Sequence, residues 1–109
     1  MAKYVIRATI GATFPKPDAP RITRREAASV ATSIARGIKQ DAREARNTGA
    51  YISDPVTHVL SDGRLMVTAW DRGALRVAHR TITRYADNTG YPIDIKPDAA
   101  SRKALEVKA

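Results

Sequence analysis

The chain contains no cysteine, which excludes a disulfide scaffold, a thiolate metal site and a cysteine nucleophile together. Aromatic residues make up only 6% of it, with a single tryptophan, Trp70. No strand-like segment carries the aromatic-rich motif by which RNA-recognition sheets stack bases. Neither a Gly-rich phosphate cradle nor a Gly-flanked serine nucleophile is present. Apolar runs long enough to cross a bilayer are missing. The opening residues Met-Ala-Lys-Tyr-Val-Ile-Arg alternate charge with apolar side chains instead of forming the core of a signal peptide. A cytoplasmic protein with no membrane contact is therefore expected.

Acid is also in short supply. Nineteen Lys and Arg stand against eleven Asp and Glu, for a net charge of +8, and thirteen of the cations are Arg. Such a surface favours polyanions or acidic partners. What is present otherwise is ordinary: 109 residues, 43% hydrophobic and 28% charged, the size and composition of one globular domain spanning 1–109. Nineteen alanines and the Arg excess suggest a gene from a GC-rich bacterium or its phage.

Residues 3–10 alternate, with Tyr4, Ile6, Ala8 and Ile10 on one side and Lys3, Val5, Arg7 and Thr9 on the other, the period of a half-buried strand. Residues 11–21 hold Pro15, Pro17 and Pro20, which lack backbone donors and fix φ, so a stiff extended connector is expected there. Thr23 with Glu26 three residues on is a capping-box signal, and an Ala-rich helix is expected to about Asn47, ended by Gly49. Its apolar face is Ala27, Val30, Ala31, Ile34, Ile38, Ala42 and Ala45. Beside that face, Arg25, Thr32, Arg36, Lys39, Arg43 and Arg46 form a cationic stripe, with Glu26, Asp41 and Glu44 on the other flank.

Three antiparallel strands are expected next. The Asp62-Gly63 pair predicts a two-residue hairpin turn with both residues at positive φ, pairing Leu60 with Leu65. Asp71-Arg72-Gly73 predicts a three-residue turn that sets Trp70 opposite Ala74. This register collects Val56, His58, Leu60, Leu65, Val67, Ala69, Leu75, Val77 and His79 on a core face. Thr57, Val59, Arg64, Met66, Thr68, Trp70, Arg76, Ala78 and Arg80 fall on the other side, with Arg84 following. A turn cluster at 87–92, a short strand at 93–96 and a short helix at 99–107 capped by Asp98 complete the chain. The expected fold class is α+β, a two-layer sandwich of order β-α-β-β-β-(β)-α. Its sheet is mainly antiparallel, with one long helix packed on one face.

The free sheet face is the candidate site. Arg64, Arg76, Arg80 and Arg84 surround Trp70 there, with Lys3 and Arg7 joining if the first strand pairs in the same sense. Arg64 lies opposite Arg80 in the expected register, and like charges across a ladder cost up to about 1 kcal/mol unless an anion neutralises them. Guanidinium groups hold phosphates and a ring stacks a base. The leading expectation is thus a non-enzymatic nucleic-acid-binding protein, for RNA or DNA, using that face with Arg25, Arg36, Lys39 and Arg43 of the helix as a second electrostatic contact. An alternative uses the same residues to dock an acidic protein or a second copy, since Trp and Arg also dominate interface hot spots; a phage-encoded modulator of a host protein belongs to this class. A third reading is a metal-independent RNase built on His79, Arg80, Arg84 and Tyr85. His58 and His79 lack the partners of a metal site, and no metal, cofactor or catalytic residue is assigned.

Overall fold

A computed structural model describes residues 3–11, 23–91 and 93–106. The elements run β1 (Tyr4–Ile10), α1 (Arg24–Asn47), β2 (Val56–Val59), β3 (Arg64–Ala69), α2 (Arg72–Thr89), β4 (Ile93–Pro97) and α3 (Ala99–Glu106). The four strands form one sheet in the order β2-β3-β1-β4, with every neighbouring pair antiparallel. β-α-β-β-α-β with this strand order is the split βαβ, or ferredoxin-like, arrangement. The α+β class and the antiparallel sheet with a long helix packed on one face are as expected from the sequence, and a second helix, α2, packs beside the first. The connector expected at 11–21 lies, beyond Gly11, outside the described residues.

β1 buries Ile6, Ala8 and Ile10, the side its alternation assigns to the core. Opposite them on β3 stand Val67 and Leu65, and Ala69 faces Tyr4. α1 lays Ala27, Ala31, Ile34, Ala35, Ile38 and Ala42 onto this face. Thr23 caps it as its sequence implies, accepting from the Glu26 amide at 3.1 Å. α3 adds Ala104 to the same core. Ser101 anchors it, accepting from the Val5 amide at 3.1 Å, with the Val5 carbonyl at 3.2 Å. The described C-terminal residues therefore extend the sheet and pack on its helical side, leaving the other face open.

Two local expectations are corrected. Residues 74–80 are not a third meander strand but part of α2, 18 residues long. The segment carries both periods: Leu75, Val77 and His79 alternate, while Ala74, Leu75, Ala78 and Ile82 recur at helical steps, and only the helix gives Ile82 a buried place. Asp71 decides the outcome. Its carboxylate accepts from the Ala74 amide and from the Ser53 amide, each at 2.7 Å, so it caps α2 while tying the helix start to the segment before β2. Burial alone would raise the Asp71 pKa, but hydrogen bonds from Ser53 and Ala74 outweigh it and hold the carboxyl below its usual value. Gly90, at φ +70°, closes the helix in the left-handed conformation.

The second correction is the β2–β3 register. Val59 pairs with Leu65, and the Leu60 amide donates to the Arg64 carbonyl at 2.9 Å, so the loop is 61–63 and only Gly63 has positive φ, at +88°. A Cβ there would sit 2.5 Å from the Ala27 Cβ and 3.1 Å from the Ile10 carbonyl oxygen, because the turn tucks under the start of α1. The one-residue shift turns Val56, His58 and Leu60 away from the core and onto the open face.

Replacing Asp71 with Ala removes the cap and leaves the Ser53 amide without its acceptor. Urea unfolding is expected to show a loss of about 2–3 kcal/mol; a loss below about 0.5 kcal/mol would contradict the role given to this carboxylate.

Candidate nucleic-acid interface

α1 and α2 cover the same face of the sheet, so their outward sides make one surface. On α1 the inward positions are mostly alanine, and Arg25, Arg36, Lys39 and Arg43 are exposed, within a single arc at 100° per residue. The opposite flank of α1 meets α2. There Asp41 takes the Arg84 guanidinium at 2.8 Å and lies 2.6 Å from the Thr81 hydroxyl. One acid of α1, Asp41, thus lies in the seam between the helices, while Arg25, Arg36, Lys39 and Arg43 are exposed.

α2 brings Arg72, Arg76, Arg80 and Arg84 at four-residue steps, all exposed. Each step rises about 6 Å and turns about 40°, which draws a single stripe along the helix. Like charges four residues apart on a helix repel by about 0.2–0.5 kcal/mol per pair. At Arg84 the Asp41 carboxylate, 2.8 Å away, offsets part of that cost.

The structure therefore divides the residues expected to act together. Arg25, Arg36, Lys39 and Arg43 share the helical surface with Arg76, Arg80 and Arg84. The last three stand there instead of on the sheet because their segment is helical. Arg64 lies on the open sheet face, between Thr9 of β1 and the Leu60 position beside β2, not opposite Arg80. It is tied to Asp62 at 2.8 Å. Trp70 directly follows β3, is half-buried, and does not stand opposite Ala74, which belongs to α2. Arg72, a turn residue on the sequence reading, opens α2 and joins the stripe; its four-residue spacing from Arg76, Arg80 and Arg84 is the sequence signal for that place.

A concavity of about 500 Å³ follows α2, lined by His79, Arg80, Thr83, Arg84, Asp87 and Asn88. Tyr85 is not part of it. Its ring packs toward Gly37 of α1, with Cε2 3.1 Å from where a Gly37 Cβ would stand, which removes the tyrosine from the His79, Arg80, Arg84 and Tyr85 set. His58, expected on the core face, is exposed, and His79 is half-buried on α2. Among the described residues no three His, Asp or Glu side chains form a group that would hold a metal ion, and no helix is long and apolar enough to cross a membrane. Comparison with family models, curated proteins and solved structures finds no match to the chain.

Burial lowers the His79 pKa from its ordinary value of 6.5. The fold favours the neutral ring, so stability holds above pH 6.5 and falls as pH drops below it toward the lowered folded value. The carboxyls of Asp71 and Asp98 are held below 3.8 and titrate outside this window. His79→Gln is expected to lose less stability than wild type between pH 7.5 and 5.5 in paired urea titrations. Equal losses would contradict the burial assigned to the ring.

Proposed function

We propose that the protein binds nucleic acid by laying its helical surface along the phosphate backbone. The observation that carries this reading is the exposure of two cationic stripes on the helical side of the sheet: Arg25, Arg36, Lys39 and Arg43 from α1, and Arg72, Arg76, Arg80 and Arg84 from α2. Arginine suits the task because its planar fork grips a phosphate through two parallel hydrogen bonds. α1 contains no aromatic residue, and the one aromatic of α2, Tyr85, packs against the core. The surface offers charge without rings to stack on, which supports contact with the backbone of RNA or DNA in preference to reading bases.

A second reading, docking of a protein, is favoured by a different feature. Among the described residues the exposed large hydrophobics, Tyr51, Val56, Val59 and Leu60, all lie in or beside β2, a strand at the edge of the sheet. An edge strand presents unpaired backbone groups on which a partner, another copy included, adds a strand. This moves the interaction reading from the Trp70 face to the β2 edge. Thr57→Pro, which cannot serve an added strand, separates the two readings: it disrupts protein docking and spares backbone binding.

Binding of a random-sequence duplex is expected to weaken steeply with salt, the slope of log K against log[salt] rising by about 0.9 for each phosphate neutralised. Arg76→Gln with Arg80→Gln is expected to lower affinity on the order of tenfold at 0.1 M salt and to flatten that slope. Fluorescence anisotropy across a salt series measures both. Salt-independent binding, or unchanged affinity in the double variant, would contradict the reading.

A further inference from the structure

The open face of the sheet holds a second assembly that the helical surface does not use. Three strands place six side chains in a block. Met66 of β3 lies between His58 of β2 and Arg7 of β1. Two residues along, Arg64 lies between Thr9 and Leu60, whose amide donates to the Arg64 carbonyl at 2.9 Å. A groove of about 380 Å³ runs over this block and is lined by Arg7, Thr9, His58, Leu60, Arg64 and Met66, with Ala8 and Leu65. That volume falls in the range of small-ligand sites, roughly 300–1,000 Å³.

The groove is divided by chemistry. Arg7 and Arg64 are diagonal neighbours across the β1–β3 ladder, about 7–8 Å apart at the backbone, a separation that two long side chains close onto one anion. Thr9, opposite Arg64 and two residues from Arg7, brings a hydroxyl to the same corner. The other side is apolar: Met66 is half-buried and Leu60 is exposed, both unusual on an open sheet face. Among the described residues the lining includes no carboxylate. The acids nearby leave the terminal nitrogens of the pair in place for an anion: Asp62 is bound to Arg64 itself, accepting from its Nε at 2.8 Å, so a grip on phosphate falls to the two terminal nitrogens. Asp94, opposite Thr9, is held by Lys96 at 3.4 Å. Asp98 caps α3 through the Ser101 amide at 2.8 Å and feels the Arg7 charge.

We infer that this groove is a site for a phosphomonoester of mononucleotide size, its phosphate held between Arg7 and Arg64 with Thr9, and its flat ring seated on Met66 and Leu60. The inference stands on the sheet face alone and does not depend on the helical surface binding nucleic acid. The same chemistry is offered by a free nucleotide and by the 5′-phosphorylated end of a strand.

Calorimetric titration of the whole chain with AMP, adenosine and inorganic phosphate tests the site. AMP is expected to bind at least about tenfold more tightly than either fragment, because only AMP fills both halves of the groove. Arg7→Gln and Arg64→Gln are each expected to weaken AMP about tenfold. Both side chains are exposed, so the core is untouched, and circular dichroism confirms folding. Met66→Thr weakens AMP and leaves inorganic phosphate unchanged. Arg76→Gln with Arg80→Gln leaves AMP binding unchanged, which separates this site from the helical surface. A 5′-phosphorylated octanucleotide that displaces AMP, where its unphosphorylated form does not, supports the site with a strand end as ligand; failure of both to displace it supports the site with a free nucleotide. AMP binding no tighter than adenosine, or AMP binding retained in Arg7→Gln and Arg64→Gln, would overturn the inference.

Discussion

The apolar face made by Ile6, Ala8, Ile10, Leu65, Val67 and Ala69 is roofed by helices whose buried sides mix alanine with larger residues: Ala27, Ala31, Ala35 and Ala42 with Ile34 and Ile38 on α1, and Ala74 and Ala78 with Leu75, Val77, Thr81 and Ile82 on α2. Small side chains let the helices sit close to the sheet and to each other, and the seam is closed where Asp41 meets Arg84 and Thr81. A charge buried in such a core without a partner costs several kcal/mol, so the cations of both helices are driven to the outside. The cationic surface is a consequence of this roof. Had residues 74–80 formed a strand, as their alternation also permits, Arg76 and Arg80 would lie on the sheet and α1 would carry its stripe alone.

Much of this was legible before any coordinates. The limits of α1 follow from Thr23, Glu26 and Gly49, each a residue whose side chain or conformational freedom suits a helix end. β1 is readable from strict alternation, and Asp98 marks the start of α3. Two places were not legible for a shared reason: a turn signal there depends on tertiary contacts. Asp71-Arg72-Gly73 reads equally as a hairpin turn or a helix cap. The Ser53 amide, 18 residues earlier, settles it by bonding the Asp71 carboxylate. Asp62-Gly63 reads as a two-residue turn until the Ile10 amide bonds the Gly63 carbonyl at 3.0 Å, fixing a longer loop. Of the site, the α1 stripe was visible as a helical pattern, whereas the union of Arg36 and Arg43 with Arg76 and Arg80 needed α2 to be a helix. The sheet groove required the β2 register, since a shift of one residue exchanges His58 and Leu60 with Thr57 and Val59.

The two faces of the molecule differ in kind. The helical side presents charge spread over two elements with no ring to stack on, an arrangement matched to a long, repeating anion. The sheet side gathers a pair of arginines against an apolar wall in a small groove, which suits a compact ligand with one anionic end. The arrangement of β-α-β-β-α-β elements hosts many unrelated activities, so function follows from these side chains and not from the topology.

The most direct test of the central claim is a map of backbone amide shifts, recorded by NMR as a random-sequence duplex is added at about 0.1 M salt. Progressive shifts along the outward positions of α1 and α2, around Arg36, Lys39, Arg43, Arg76 and Arg80, with β1 and β3 spared, are the expected result. Shifts confined to the open sheet face, or none on either helix, would contradict it.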